Sequence, residues 1–519
     1  MWFGQRIVDD VKPVVWKKAI AYCFLCILIS TIIVSNSWSE PQYGGRLSVG
    51  MEYQAYGFDL IKSRIFTVTA QTAAHLIMER LFDKGEDGEF LPRLGLSMIP
   101  SKDGKTWTIH LRQGVHFHDG TPFNADAVVV HWQRILNPEN RFRGRLALKP
   151  ILSVEKAGEF KVQFNLKHPW KPFPDMLCAG NTMAALIPSP KAVANGTQNL
   201  SPVGTGPFVF ASWKKQDSIS VTKNLKYWQP GKPYLDEIVI QIIPDAQARN
   251  AALTTGQVEM IFTDRPTQVM KLQADQNFTT LIGEGTGIGA LVINTRRPPL
   301  DDVRVRRALA HAWDQKKYIK MVFKDIVPFA THWYGGESGC NDVAYRHPDL
   351  EKAKALMQDY GKPVEIEYIH SATQRGIESG LVVQQLFKPI GVKVNTVPLN
   401  WGAISKRMFG RNFDLASWGI PSMDDMGVAT QLIFQSKSPW NLSGYSNETV
   451  DALLIKQASS VDQDVREKIL CDVARHVNQD APVLFFCGRR YYLFAALNVR
   501  GLTPPHNQNI LISNAWLIP

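Results

Sequence analysis

Cysteine is scarce in this chain: six stand in 519 residues, and two of them, Cys23 and Cys26, fall in an apolar run near the N-terminus. The other four, Cys178, Cys340, Cys471 and Cys487, follow no zinc-ligand spacing, so a structural zinc does not organise the chain. The motifs that announce catalysis are missing as well. No Gly-x-Ser-x-Gly elbow, His-Glu-x-x-His helix or Walker loop occurs, which leaves hydrolase and ATPase chemistry without a nucleophile, a base or a phosphate cradle. The glycines at 283, 285, 287 and 289 suggest a dinucleotide loop, but the third glycine of G-x-G-x-x-G is missing, with Ile288 or Ala290 in its place. No internal repeat or low-complexity tract is present, so the chain is not a repeat array.

What is present is ordinary for a globular protein. Hydrophobic residues make up 45% and charged ones 20%, and the length suffices for two or three lobes, each with a core. Helical and strand patterns alternate as in an α/β protein. At the N-terminus Lys12, Lys17 and Lys18 precede an apolar run from Ala19 to Val34, followed by the small residues around Ser37-Trp38-Ser39. That is the pattern of a secretory signal, with cleavage expected after Ser39; an uncleaved anchor is the alternative. Tyr22 and Leu25 precede Cys23 and Cys26 where lipidation needs a small residue, so the expected location is the periplasm, without a lipid tether.

Removing residues 1–39 lowers the formal net charge from +11 to +9, and the mature chain stays basic. Export and the absence of a recognition motif exclude nucleic acid as the partner. Arg304, Arg306 and Arg307 read as the solvated face of an amphipathic helix. In an oxidising compartment the four remaining cysteines allow three pairings, or they stay as isolated buried thiols; a bond between Cys471 and Cys487 would need α-carbons within about 7 Å. His116-x-His118-Asp119 has metal-ligand residue types, yet a strand places both histidines on one face, and no metal site is expected there.

The segment Ser101 to Val128 carries the most information. Asp103-Gly104 signals a hairpin turn, Trp107, Ile109 and Leu111 alternate as a half-buried strand does, and Val115 and Phe117 continue the alternation. Asp119-Gly120 makes a second turn, and Asn124 is placed to cap a helix beginning near Ala125. This order of turn, strand, Arg112, Phe117, Asp-Gly turn and capped helix resembles the signature of the peptide/nickel class of extracytoplasmic solute-binding proteins, family 5, the receptors of ABC importers. Further segments agree in order: Gly44 to Leu47, Val203 to Phe208, Asn224 to Trp228, Asp301 to Leu309, and Asp480 to Val483.

The resemblance implies a two-lobed periplasmic-binding-protein (Venus flytrap) α/β fold with an extra subdomain. Lobe I is expected over residues 40–285 and 487–519, with the subdomain at about 72–202, and lobe II over 286–486. The glycines from 283 to 289, before a strand at Ala290 to Asn294, and the strand after Pro482 are the expected crossings, where a hinge is plausible. It also implies a solute captured between the lobes without chemical conversion, no cofactor, a monomer, and delivery to a membrane permease driven by ATPase subunits. A peptide or peptide-like ligand is expected; a nickel or metallophore complex, haem, an opine or a sugar conjugate is the alternative, kept open by His332 and His370.

The expected ligand-binding residues follow from the same likeness. Tyr53 and Tyr56 lie in the loop Glu52 to Asp59, which faces the cleft in relatives, and Trp333 and Tyr334 are secondary candidates. Arg375 either pairs with a ligand carboxylate or is solvated in the first turn of a helix. Trp401 stands where peptide-binding members carry a tryptophan or other bulky residue, and Trp418 lies in Phe413 to Gly419, which resembles the strand leading into the cleft. In those members an acidic residue just beyond the strand of Trp418 grips the ligand's amino group. The Gly-Trp-x-x-Asp pattern is not reproduced here, so either Asp424 or Asp425 fills that place, or they cap a helix starting near Met426.

Overall fold

Residues 40–63, 67–85, 88–178, 184–330, 340, 347–507 and 509–518 are described by the computed structural model. The signal segment with Cys23 and Cys26, and the candidates His332, Trp333 and Tyr334, lie outside the described residues. Tyr43–Pro519 make one unit.

Its backbone is a ten-stranded mixed sheet. From one edge to the other the strands are Val392–Leu399, Val364–Ser371, Leu415–Ile420, Phe278–Ile293, Val483–Ala496, Met260–Thr263, Arg46–Met51, Glu237–Ile242, Ser218–Lys223 and Phe208–Lys214. The parallel neighbours Val364–Ser371 and Val392–Leu399 are joined by the helix Gln374–Phe387, the crossover that a parallel pair requires. The two central strands, Phe278–Ile293 and Val483–Ala496, run antiparallel along nearly their whole lengths. Each passes from one hydrophobic core to another. Leu281 packs against the core built from Leu47, Ile109 and Trp132, whereas Ile288 to Ile293 belong to a core with Trp313, Tyr368 and Phe387. On the return strand Val483 to Cys487 lie in the second core, and Tyr491, Leu493 and Ala495 in the first. Near the changeover the ladder shifts register twice, between Gly285 and Ile288 and between Gly289 and Ala290.

The glycines sit inside the 16-residue strand Phe278–Ile293, not ahead of a strand starting at Ala290 as the sequence suggested. The reason is close approach. A Cβ on Gly283 would collide with the carbonyl of Pro505, and one on Gly287 with the carbonyl of Ile420, so only glycine lets these backbones touch.

The signature segment builds a four-stranded antiparallel sheet ordered Gly95–Pro100, Thr106–Leu111, Lys161–Leu166, Ile151–Gly158. Gly104 takes the positive φ of its turn, and Ile109 and Leu111 are buried as the alternation predicts. Asn124 accepts from Ala127 N and caps the helix Ala125–Leu136, which buries Ala125, Val128, Trp132 and Ile135 on one face. Val115, Phe117 and Phe123 are buried in the ribbon, but only an isolated bridge, His116 to Pro122, joins its sides. His118 is tied by Nε2 to the Gly206 carbonyl at 2.9 Å.

Two of the other family segments, Val203 to Phe208 and Asn224 to Trp228, meet on Glu79. Its buried carboxylate accepts from Tyr227 Oη (2.7 Å), Trp228 Nε1 (2.9 Å) and Thr205 Oγ1 (2.9 Å). Burial pushes the Glu79 pKa up, and these three donors oppose the rise. Gly204 and Gly206 press against the carbonyls of Ile77 and Leu76, and Arg112 lies 4.1 Å over the Trp228 ring.

One expectation is corrected. Arg306 is 7% exposed, and its guanidinium donates to the carbonyls of Leu300, Asp301 and Asp480. It locks the helix Val303–Ala312 to the end of the helix Gln463–Asp480, so the face is not uniformly solvated. The cysteines are also resolved: Cys340 and Cys471 form a disulfide with α-carbons 5.4 Å apart, and Cys178 and Cys487 are free and buried.

Candidate functional site

The first side of the candidate site is the loop after the strand Arg46–Met51. Tyr53 is 47% exposed and Tyr56 64% exposed. Tyr53 stands amid fixed charges. Glu52 is held by Arg265 at 2.5 Å and by the fully buried Arg249 at 3.2 Å. Asp264, just past the strand Met260–Thr263, lies 3.6 Å from Arg265 and 2.8 Å from Arg375. Surrounding protein mass, then the carboxylates of Glu52 and Asp264, push the Tyr53 pKa up, so the phenol stays a neutral donor. Burial alone would raise the pKa of Asp264, but the guanidinium groups of Arg375 and Arg265 outweigh it and hold the carboxyl ionised.

Arg375 is paired within the protein rather than solvated. It lies in the first turn of the helix Gln374–Phe387, capped by Thr373, and its Nη1 donates to both the side chain and the carbonyl of Asp264 while the guanidinium sits 5.4 Å over Phe323. This pair joins the Met260–Thr263 side of the sheet to the Val364–Ser371 side.

The second side is aromatic. Trp401 opens the helix Trp401–Phe409 behind the cap of Asn400, and Trp418 projects from the strand Leu415–Ile420. Their rings stack at 4.7 Å with 8° between planes, and Trp401 is still 62% exposed. Phe409 meets Trp418 edge-on at 6.3 Å and Trp440 at 5.4 Å, which extends the ledge. Phe409 and Trp440 then face Arg141, Arg145 and Lys149 across a concave space of about 480 Å³.

Asp424 and Asp425 are committed elsewhere. Asp425 caps the helix Met426–Phe434 by accepting from Val428 N at 3.0 Å, and it pairs at 2.8 Å with Arg466, whose side chain is 3% exposed. Asp424 accepts from Asn507 Nδ2 at 2.8 Å and faces His506 Nε2 at 3.4 Å. Asp425 is thus tied into the fold as a helix cap and ion pair, whereas Asp424 accepts from one neutral amide. His370 is buried, its Nδ1 on the Ser371 carbonyl at 3.0 Å and its Nε2 against Gly380. Among the described residues no cluster of three or more His, Cys, Asp or Glu is placed to hold a metal.

Sequence reasoning missed the network of Glu52, Arg249, Asp264 and Arg265, the ledge residues Phe409 and Trp440, and Arg489. The last had a visible signal: Arg489-Arg490 interrupts the apolar strand Val483–Ala496. Burial pushes the Cys487 thiol up to about 11, and the guanidinium groups of Arg489 and Arg375 pull the other way, which places both within electrostatic reach of one atom.

A sheet threading two cores, with a fixed-charge loop on one side and an exposed aromatic ledge on the other, defines a solute-binding protein. The chain belongs to the bacterial extracellular solute-binding proteins, family 5, whose middle region matches residues 89–440. These are the extracytoplasmic solute receptors of ABC importers. Among similar proteins, di/tripeptide-binding protein 2 of Pseudomonas aeruginosa is 30% identical over 436 residues, 76% of this chain and 80% of that one. Helicobacter pylori DppA in complex with the peptide STSA superposes with a TM-score of 0.82 at 24% identity, covering 92% and 98% of the two chains. AgaA of A. tumefaciens R10 in complex with agropinic acid gives 0.82 at 25%, covering 92% and 99%.

Proposed function

We propose that this protein captures a peptide or peptide-derived solute between lobe I, residues 40–285 with 487–519, and lobe II, residues 286–486, and hands it unchanged to a permease. The observation that carries this reading is the Trp401–Trp418 stack. Two indoles held parallel with one left 62% exposed are a rigid apolar surface awaiting a partner. Tyr53 and Tyr56 supply the opposing wall, and Arg375 holds Asp264 from across the cleft. Asp424 and Asp425 enter only as the support of the loop behind Trp418.

Closure then follows from differential contacts: a ligand touching both walls favours the state in which they approach. The paired strands Phe278–Ile293 and Val483–Ala496 are the elements about which the lobes would turn, and the Asp264–Arg375 pair belongs to the approached state. The reading includes a cleaved signal after Ser39, a free periplasmic monomer, direct contact with the permease, and no turnover. The peptide-bound and di/tripeptide-binding relatives support the ligand class. Calorimetric titration of the mature protein with di- to tetrapeptides tests it. Saturable one-to-one binding that Trp401→Ala weakens by about 2 kcal/mol is expected for a buried aromatic anchor. Binding indifferent to both Trp401→Ala and Trp418→Ala would remove the ledge from the site.

A further inference from the structure

The strand Val483–Ala496 carries two adjacent arginines on opposite faces. Arg490 is paired with Glu284 at 2.7 Å. Arg489 is half-buried and has no hydrogen bond or ion pair with any described residue. Its Nη2 lies against Gly419, where a Cβ would collide with it, so the missing side chain at 419 is what admits the guanidinium on the face of the strand opposite the Trp418 ring. Among the described residues of the site the acids have partners of their own: Asp264 has Arg375, Glu52 has Arg249 and Arg265, Asp425 has Arg466, and Asp424 has Asn507. A half-buried, unpaired guanidinium at the place where the two cores meet is a charge without its counter-ion. Its planar fork matches the two oxygens of a carboxylate.

We infer that Arg489 anchors a carboxylate of the bound solute, and that the cleft reads this anion in place of a free amino group. The inference rests on the solute-binding reading above and specifies its ligand. The carboxylate sits at Arg489, the rest of the solute extends along the cleft, and the far end carries no matching requirement for an amino group.

A matched set of peptides tests it: free acid, C-terminal amide and N-acetyl forms, titrated by calorimetry into wild type, Arg489→Gln and Arg489→Lys. Amidation is expected to weaken wild-type binding by about tenfold or more, as for loss of one partner of a buried charge pair. Acetylation should change it within about fivefold, as for an exposed charge. Arg489→Gln should bind acid and amide alike, and Arg489→Lys, with a wild-type melting temperature, should keep part of the preference for the acid. Equal binding of acid and amide by wild type, or a preference that survives in Arg489→Gln, overturns the assignment while leaving the peptide reading intact. If no form of any peptide binds, the peptide reading falls, and the assignment with it.

Discussion

Trp401 and Asp425 show how differently two residues of one candidate site behave. The exposed indole contributes little to stability, and its removal should act on affinity. Asp425 should act the other way. It satisfies a helix N-terminus and neutralises a guanidinium that is otherwise buried, so Asp425→Ala leaves Arg466 as a buried uncompensated charge. A loss of about 3 kcal/mol in urea unfolding is expected, the cap accounting for about 1 of it. Ligand affinity measured below the unfolding transition should be unchanged. A stable Asp425→Ala protein with weakened binding would return this carboxylate to the ligand. The sequence made capping visible, because an aspartate preceding an apolar run is a recognisable start signal. The Arg466 partner was not visible, since nothing local links positions 41 residues apart. The Arg375 partner was invisible for the same reason: its counter-ion Asp264 follows the strand Met260–Thr263, 111 residues away, and pairing depends on tertiary approach.

At the scale of elements, local signals were faithful where the physics is local. Asn124 caps the helix that its position announces, and Asp302, Asp314, Asn400 and Asp462 cap others in the same way. The strand Thr106–Leu111 follows its alternation. The glycine run misled because periodicity carries no information about backbone contact, and Gly283 and Gly287 serve neighbours from distant segments. The disulfide was equally beyond reach, three pairings being open until geometry chose Cys340–Cys471, 131 residues apart. This bridge ties Cys340 to the helix Gln463–Asp480. Cys340→Ser should lower unfolding free energy by about 2–4 kcal/mol. Thiol reductant should lower the wild-type melting temperature and leave that of Cys340→Ser in place; equal sensitivity of both would assign the effect to another group. Cys178 and Cys487, buried with burial raising both thiol pKa values, should react with thiol reagents only after unfolding.

For the whole molecule, acid is the condition that separates the native from the unfolded chain. His75 is buried against Asn509 and Arg80, and His131 is buried with Nε2 on the Ala184 carbonyl. Burial, helped at His75 by Arg80, lowers their pKa values to about 3 and about 4. Both histidines are thus neutral when folded and protonate near pH 6.5 when unfolded. The stability this contributes is complete above pH 6.5 and is lost as pH falls toward the folded values, by about 1.4 kcal/mol per pH unit for each histidine. Urea midpoints should therefore drop between pH 7 and pH 5, before most carboxylates titrate; a flat profile over that window would contradict neutral burial.

Family membership was legible at this scale because the signature residues are architectural and their spacing is set by turns, caps and the Glu79 junction. The ligand was not, because specificity lies in which charges remain unpaired after folding. The most direct test of solute capture is native mass spectrometry of the mature protein purified without denaturation. The account predicts a one-to-one adduct with a small peptide or peptide-derived carboxylate, released by denaturation and diminished in Trp401→Ala. A haem or nickel complex in its place, or a solute lacking any anionic group, would contradict it.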